Sequence, residues 1–372
     1  MPYTDGMPAH LRSGLVGAGL FLATILVSVA LGEIVVRALY PQKPHWLDVF
    51  APHAVLPFTL RSNSEIVLPG ANDNPPWRVK TDDDGFRVAP GAEAEDPRPR
   101  IAWIGDSFVF GLGLDYAELY PARVAAAPGA RFAARSAGVP GYSPIEYRKT
   151  AEYLLGKAPR PARIVVSYYL GNDFIECEPG RELPVADGIL GNNAGVLEKT
   201  VQRSQLAQLI ERTIRAQALW GTPALFRAMF HPSAWRSGRL AVGQQCMRAE
   251  LERLRDAAAA ASVALDVVLI PDEAMVHAAR GDAGFAPQDD LDYLTPHDIM
   301  VRLLSELGMN AIDLLSSLAA EEVSRTYLAH DIHLNARGNE IAAAAILSAR
   351  PELTATASAT RHSVPGNTDR GM

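Results

Sequence analysis

Four short stretches of this 372-residue chain hold residue types that can do chemistry together. In IAWIGDSFVFG, residues 101–111, an apolar run breaks at Gly105-Asp106-Ser107. SAGVPGYS, 136–143, offers Gly138 and Gly141, and LGNDF, 170–174, offers Asn172. HDIHLNARGNEIAAAAI, 330–346, offers Asp331 and His333. A serine hydroxyl is a weak nucleophile at neutral pH and needs a base within hydrogen-bond reach, most often histidine. The histidine needs a carboxylate to fix its tautomer and stabilise the imidazolium. The two-residue offset of Asp331 and His333 lets one turn present both. A developing oxyanion needs donors, and the N–H of Ser107, the N–H of Gly138 and the Asn172 amide could supply three. Glycine suits the second of these, because the missing Cβ lets substrate approach the backbone.

Each stretch alone has a plainer reading. Asp106 or Ser107 can cap a helix after a strand. Gly138 and Gly141 can permit turns, Asn172-Asp173 can cap, and Asp331 and His333 can be a surface pair before a helix. Position favours the chemical reading: all four occur in one order, each tied to the end of a structural run.

The elements that must hold these residues alternate. RIAWIG (100–105), ARIVVSYYLG (162–171), LDVVLIP (265–271) and MNAIDLL (309–315) read as buried strands, with RFAARSAG (131–138) a weaker fifth. Ser143-Pro144 reads as an N-cap and first helical residue, opening a helix to about Leu155. Thr295-Pro296 repeats the signature before a helix that stops at Gly308. Strands alternating with helices predict a parallel sheet covered on both faces, in which ligands bind beyond the carboxyl ends of the strands.

The N-terminus bears on the compartment. Ser13 to Gly32 contains no charged residue, and a helix of that length spans the roughly 30 Å hydrocarbon core of a bilayer. Ser28-Val29-Ala30 offers the rival reading of a cleaved signal peptide. The length of the run favours an uncleaved anchor over 13–38 after a short cytoplasmic start, 1–12. The remainder is then expected outside the cytoplasm, in the periplasm. Residues 39–99, rich in Pro, Asn and Asp, read as an irregular stalk with a strand or two on the main domain. Residues 351–372 read as a polar, disordered tail.

Composition narrows the function classes. Hydrophobic residues make up 48% and charged residues 21%, enough apolar content for a large core, and the formal net charge is −7. The acidic balance and the lack of a Lys/Arg run argue against nucleic acid as a partner. Two cysteines, Cys177 and Cys246, exclude a disulfide-rich scaffold and a Cys-based zinc module, though the two could pair outside the cytoplasm. His297-Asp298 and His330-Asp331 are too short for metal sites. No cofactor or metal is expected.

GDSFVFG, AGVPGYS, GND and DIHLNARGNEIAA together resemble the SGNH hydrolases, the GDSL-type esterases and lipases, over residues 100 to about 348. KTDDDGFR, before the first strand, is similar to the lead-in of membrane-anchored bacterial members. The resemblance matches Ser107, Gly138, Asn172 and His333 to the family's four named residues, with Asp331 as the triad acid. It implies a flavodoxin-like three-layer α/β/α sandwich, here preceded by one transmembrane helix, with the hydrolase domain at 100–350. Phe108 departs from the leucine of the motif, and Ser136 stands where many members carry asparagine. Val109 breaks the G-x-S-x-G elbow of ordinary α/β-hydrolases. Domains of the alginate-acetylation type usually place the Asp-His pair before the serine; here Ser107 comes first.

One region stands outside this pattern. From about 175 to 243 the chain makes an insertion whose RSQLAQLIERTIRAQAL reads as amphipathic helix, followed by Trp220, Phe226, Phe230 and Trp235. Such aromatics are more often core than binding surface, but a lid, an acyl wall or a membrane-facing surface also fits. The expected function is a membrane-anchored serine esterase that hydrolyses a small O-acyl ester, such as an acetyl group, on a small molecule or envelope glycan. An O-acyltransferase with the same triad is the first alternative. A catalytically silent carbohydrate-binding module is the second.

Overall fold

The computed structural model describes residues 9–40, 49–68, 70, 74–91, 96–181, 183–186, 188–190, 204–210, 224–329 and 331–354. The chain divides into two units, Met1–Trp46 with Asn192–Arg227, and Leu47–Gly191 with Ala228–Met372.

In the first unit, helix α1 (Ala9–Leu39) is built from Leu, Val, Ala and Ile. Its stretch Leu15–Leu39 is long and apolar enough to cross a membrane. Phe21 is 69% exposed and its apolar neighbours are similarly bare, as a helix facing hydrocarbon requires. Near its end, the Glu33 carboxylate accepts the Gln205 and Leu206 N–H groups at 3.0 and 2.9 Å and the Ser204 hydroxyl at 2.8 Å. This acid satisfies the first free amides of the helical turns at 205–210. The expected insertion is thus split. Residues 192–227 group with the N-terminal helix rather than with the second unit. Trp220 and most of the expected amphipathic helix lie outside the described residues.

The second unit holds the sheet. Its early part forms β1 (Phe50–Ala51), β2 (Thr59–Leu60), β3 (Glu65–Leu68), β4 (Trp77–Thr81) and β5 (Arg87–Val88). Then come β6 (Arg100–Gly105), α2 (Ser107–Phe110), α3 (Tyr120–Ala126), β7 (Ala133–Gly138), α4 (Pro144–Gly156), β8 (Arg163–Tyr169) and α5 (Asp173–Glu176). After a small ribbon, β9 (Val185–Ala186) with β10 (Ile189–Leu190), follow α6 (Gly238–Ala260), β11 (Ala264–Ile270), α7 (Glu273–Arg280), α8 (Thr295–Glu306), β12 (Ala311–Asp313) and α9 (Ala336–Ala349).

The main sheet runs β12-β11-β8-β6-β7-β5-β4-β3. Its five parallel strands, taken in chain order, follow the order 2-1-3-4-5, the flavodoxin-like arrangement. The chain steps from β6 to β7 in one direction and then back across β6 to β8. Right-handed crossovers in opposite directions put α3 on one face and α4, α6 and α8 on the other. Helix α9 packs on α3 and α6 on α4, which gives three layers. Residues 101–105 and 164–169 are buried throughout, as strands covered on both faces must be.

Three expectations change. The stalk at 39–99 contributes three antiparallel strands, β3 to β5, that widen the main sheet, with β5 beside β7 through the pair Arg87–Ser136. Helix α8 is preceded by Leu294, not by a Thr295 cap; Thr295 is its first residue and is buried. The tail starts later than 351, because 351–353 form a helical turn, Leu353 is buried and Thr354 bridges Ala130. Residues 355–372 lie outside the described residues.

Candidate active site

The strand order switches at β6, and in open α/β sheets ligands bind at the carboxyl ends of the strands beside such a switch, here β6, β7 and β8. Ser107 follows β6, Gly138 ends β7 and Asn172 follows β8. Ser107 is the first residue of α2, a single turn too short to stand alone. Asp106 caps it, Oδ1 accepting the Phe108 N–H at 2.9 Å. At the other end Gly111 closes the turn with φ +74°, in the left-handed region, and donates its N–H to the Ser107 carbonyl at 2.9 Å.

Ser107 Oγ lies 2.7 Å from His333 Nε2. His333 Nδ1 is hydrogen-bonded to Asp331 Oδ1, and the same oxygen accepts the His333 backbone N–H at 3.0 Å. The loop that carries the pair is tied down at both ends. Leu328 donates its N–H to the His333 carbonyl at 2.8 Å. Asn335 caps α9 through Oδ1, and its Nδ2 donates to the carbonyls of Arg325 and Tyr327 at 2.9 Å each. The His333 and Asp331 side chains are 12% and 18% exposed, so the pair is shielded while Nε2 faces the serine. Burial alone would raise the Asp331 carboxyl. Hydrogen bonds from His333 and the imidazole charge outweigh it and hold the carboxyl below its ordinary value.

Gly138 is level with Gly105 in the sheet, and Val139 donates its N–H to the Gly105 carbonyl at 3.1 Å. A Cβ on Gly138 would meet the Phe110 nitrogen at 2.4 Å, so only glycine lets β7 end against α2. Ser136, the departure from asparagine, lies buried and donates its hydroxyl to the Val109 carbonyl at 3.1 Å. Asn172 stands at the start of α5. Its Nδ2 donates to Glu176 Oε1 at 3.3 Å, and its Oδ1 is buried without a hydrogen-bond partner. The structure thus joins Ser107, His333 and Asp331 by direct contacts. It brings Gly138 and Asn172 to the same edge through the strands that precede them.

Around these residues lies a shell that the spacing of the motifs does not announce. Phe108 stacks on Tyr169 with ring centroids 4.1 Å apart and meets the His333 ring at a tilt, centroids 4.8 Å apart. Asp106 is buried, and burial pushes its carboxyl up to about 6 against the pull of the Phe108 N–H and the His333 charge. Asp173 is buried deeper still, bonded to the Tyr147 hydroxyl and the Tyr169 N–H at 2.8 and 2.9 Å, and burial together with the Asp106 charge raises it strongly. Cys177, which closes α5, is disulfide-bonded to Cys246 of α6 with Cα atoms 5.7 Å apart. Phe174 of α5 packs edge-on against Trp235, centroids 4.8 Å apart. Phe230 and Trp235 are therefore core, whereas Phe226 is 37% exposed. Among the described residues one acidic cluster, Asp82–Asp84, brings three carboxylates together, but Asp84 is ion-paired with Arg135 and Lys157.

Residues 234–368 match the family model described as SGNH hydrolase-like domain, acetyltransferase AlgX. The match covers about a third of the chain and contains Asp331 and His333, but begins after Ser107, Gly138 and Asn172. Among solved structures, the chain is similar to a lipolytic G-D-S-L protein from Veillonella parvula DSM 2008, with 13% identity, TM-score 0.37, and coverage of 67% of this chain and 96% of that one. It is also similar to LAE5, an alpha/beta hydrolase enzyme from the metagenome of Lake Arreo, with 16% identity, TM-score 0.39, and coverage of 72% and 99%. The acetyl xylan esterase AlAXEase shows 15% identity, TM-score 0.37, and coverage of 67% and 98%. No curated protein matches the chain in sequence. The sheet has the flavodoxin-like strand order, and the stretch that carries Asp331 and His333 is similar to an SGNH hydrolase-like domain.

Proposed function

We propose that the chain is a membrane-anchored serine esterase whose triad is Ser107, His333 and Asp331. The observation that carries this reading is the contact of Ser107 Oγ with His333 Nε2 at 2.7 Å, with Asp331 on the far ring nitrogen. In the first step Ser107 Oγ adds to the ester carbonyl while Nε2 takes its proton. The resulting oxyanion is held by the N–H groups of Ser107 and Gly138 and by the Asn172 amide. The intermediate collapses as Nε2 returns the proton to the departing alcohol, leaving an acyl-serine. A water molecule, deprotonated by the same nitrogen, then releases the acid. Asp331, held ionised at neutral pH, keeps Nδ1 protonated and steadies the imidazolium.

The acyl group in this reading is small, such as acetyl, and the alcohol an envelope carbohydrate. The acetyltransferase description of the matched family supports the acyl group and favours the second reading, in which a glycan hydroxyl replaces water. The apolar N-terminal helix and the Cys177–Cys246 disulfide support a domain outside the cytoplasm, since disulfides persist in oxidising compartments. The test uses the full chain in detergent. Labelling by a fluorophosphonate probe that requires Ser107, with release of p-nitrophenol from p-nitrophenyl acetate, is expected; no labelling overturns the enzyme reading. Following the acetyl group in the presence of envelope oligosaccharides separates free acetate, which supports hydrolysis, from acetylated sugar, which supports transfer.

A further inference from the structure

Arg87 is fully buried, and among the described residues no carboxylate bonds it. All the hydrogen bonds of its guanidinium among the described residues go to main-chain carbonyls. Nη1 donates to the Phe110 and Gly111 carbonyls at 2.6 and 2.9 Å. Nη2 donates to the Arg78 carbonyl at 2.8 Å and the Leu114 carbonyl at 2.5 Å. Its Cζ lies 5.2 Å from the centroids of both the Trp77 and the Phe110 rings, which themselves pack edge-on. Phe110 and Gly111 end the turn that begins at Ser107. An unpaired carbonyl at a helix end attracts a cation, and a planar fork with several donors holds several carbonyls in fixed relation, which a lysine cannot do.

A second contact from the same strands points the same way. In β4 the Arg78 N–H donates to Asp115 Oδ1 at 2.8 Å, and Trp77 packs edge-on against Phe110 with centroids 5.6 Å apart. The hairpin β4–β5 thus grips the segment 110–115 at several points, none of them at the serine itself.

We infer that Arg87 is a positioning residue for Ser107: it fixes the single turn α2 from its carboxyl end, as Asp106 fixes it from the other, and so sets where Oγ and the Ser107 N–H point. The inference rests on the proposed role of Ser107. It gives the lead-in strands a task in the site, beyond widening the sheet. Removing the fork leaves the helix turn, the nucleophile and the base all present, but the turn free to shift. A displacement of about 1 Å at a reacting group costs on the order of 10²-fold in rate.

The experiment compares the full chain in detergent with Arg87→Met, which keeps the apolar stem without burying a lone charge, and Arg87→Lys, which keeps the charge but not the fork. Activity is read per folded molecule, well below each variant's Tm. Hydrogen exchange is read across residues 105–115. Expected are a kcat for p-nitrophenyl acetate lowered about 10²-fold in Arg87→Met, with KM little changed, a smaller loss in Arg87→Lys, and faster exchange confined to 107–114. A lower Tm with unchanged kcat and unchanged exchange at 107–114 overturns the inference, since Arg87 then serves stability alone. If the unsubstituted chain is not labelled at Ser107, the esterase reading fails by itself. The exchange measurement still decides whether Arg87 holds the turn.

Discussion

The His333 ring leans on the ring of Phe108, with centroids 4.8 Å apart and planes 40° from each other. The proposed base therefore rests on the residue immediately after the serine it contacts, and the two proposed catalytic groups share one support. Phe108 in turn stacks on Tyr169, whose hydroxyl donates to Asp272 at 2.8 Å. Phe108→Leu, which restores the usual motif residue, keeps an apolar support and should retain most esterase activity. Phe108→Ala should cost about 3–5 kcal/mol of stability, as for other buried aromatic truncations, and should lower kcat. Urea unfolding and steady-state kinetics on the two variants check both statements. Equal kcat in Phe108→Ala and the parent would remove the support role.

The serine and its acid make separable predictions. The Ser107 hydroxyl touches the His333 ring and takes no part in capping α2, which Asp106 does. Ser107→Ala should keep its Tm and lose esterase activity. Asp331→Asn leaves the ring contact but presents the wrong tautomer, and kcat should drop by about 10⁴-fold. Turnover by a folded Ser107→Ala protein contradicts the mechanism.

Asn172 offers one amide hydrogen to Glu176 and keeps a second. If the second reaches the oxyanion, Asn172→Ala should lower kcat by about 10²–10³-fold with KM little changed. A change in KM alone would make Asn172 a substrate contact rather than an oxyanion donor.

Stability should depend on pH through carboxyls with no role in the triad. Burial pushes Glu176 up to about 7. Arg181 partly offsets this, and the charges of Asp106 and Glu146 add to it. Burial and the Asp272 and Asp331 charges likewise push Glu273 up to about 7, and Asp106 sits at about 6. Unfolded, such groups titrate near about 4. Between those values the folded chain holds more protons than the unfolded chain. The stability they contribute is whole below about pH 4 and is lost as pH rises to about 7. Glu176→Gln should flatten the fall of Tm across that window. An identical slope in parent and variant would falsify the assignment.

The disulfide closes a loop between residues 69 apart in sequence and joins α5 to α6 just beyond Asn172. Replacing both cysteines by serine should cost about 2–4 kcal/mol, read as a shift in urea midpoint between oxidised parent and variant. Free thiols in protein recovered from an oxidising compartment would contradict the pairing.

The parallel core was legible because its strands are apolar runs cut off by chemistry-bearing turns: RIAWIG ends as β6 at Gly105, and RFAARSAG ends as β7 at Gly138. The adjacency of Ser107, Asp331 and His333 could be read from residue type and order. The role of Arg87 could not: it closes the lead-in stretch KTDDDGFR, but only the fold shows four carbonyls converging on it. The strands β3 to β5 were legible only as a strand or two without bounds, because each is two to five residues long. The grouping of 192–227 with the N-terminal helix was not legible, because an amphipathic pattern does not say which unit a segment joins. Thr295 misled as a cap because Pro296 fits the first turn whether the helix starts at 295 or one residue later.

The annexe of β3 to β5 also orders events in time. These strands leave the ribosome before any strand of the parallel core, yet among the described residues their strand pairing with that core runs through β7, at the Arg87–Ser136 pair. Until β7 has been made and laid beside β6 they have no edge to join, and so short a meander is marginal alone. The grip of Arg87 on Phe110 and Gly111 forms only with that docking, and His333 is synthesised later still. The order of manufacture therefore runs against the order of assembly, and the contact between Ser107 and His333 cannot form in the growing chain until the segment that carries Asp331 and His333 has been made.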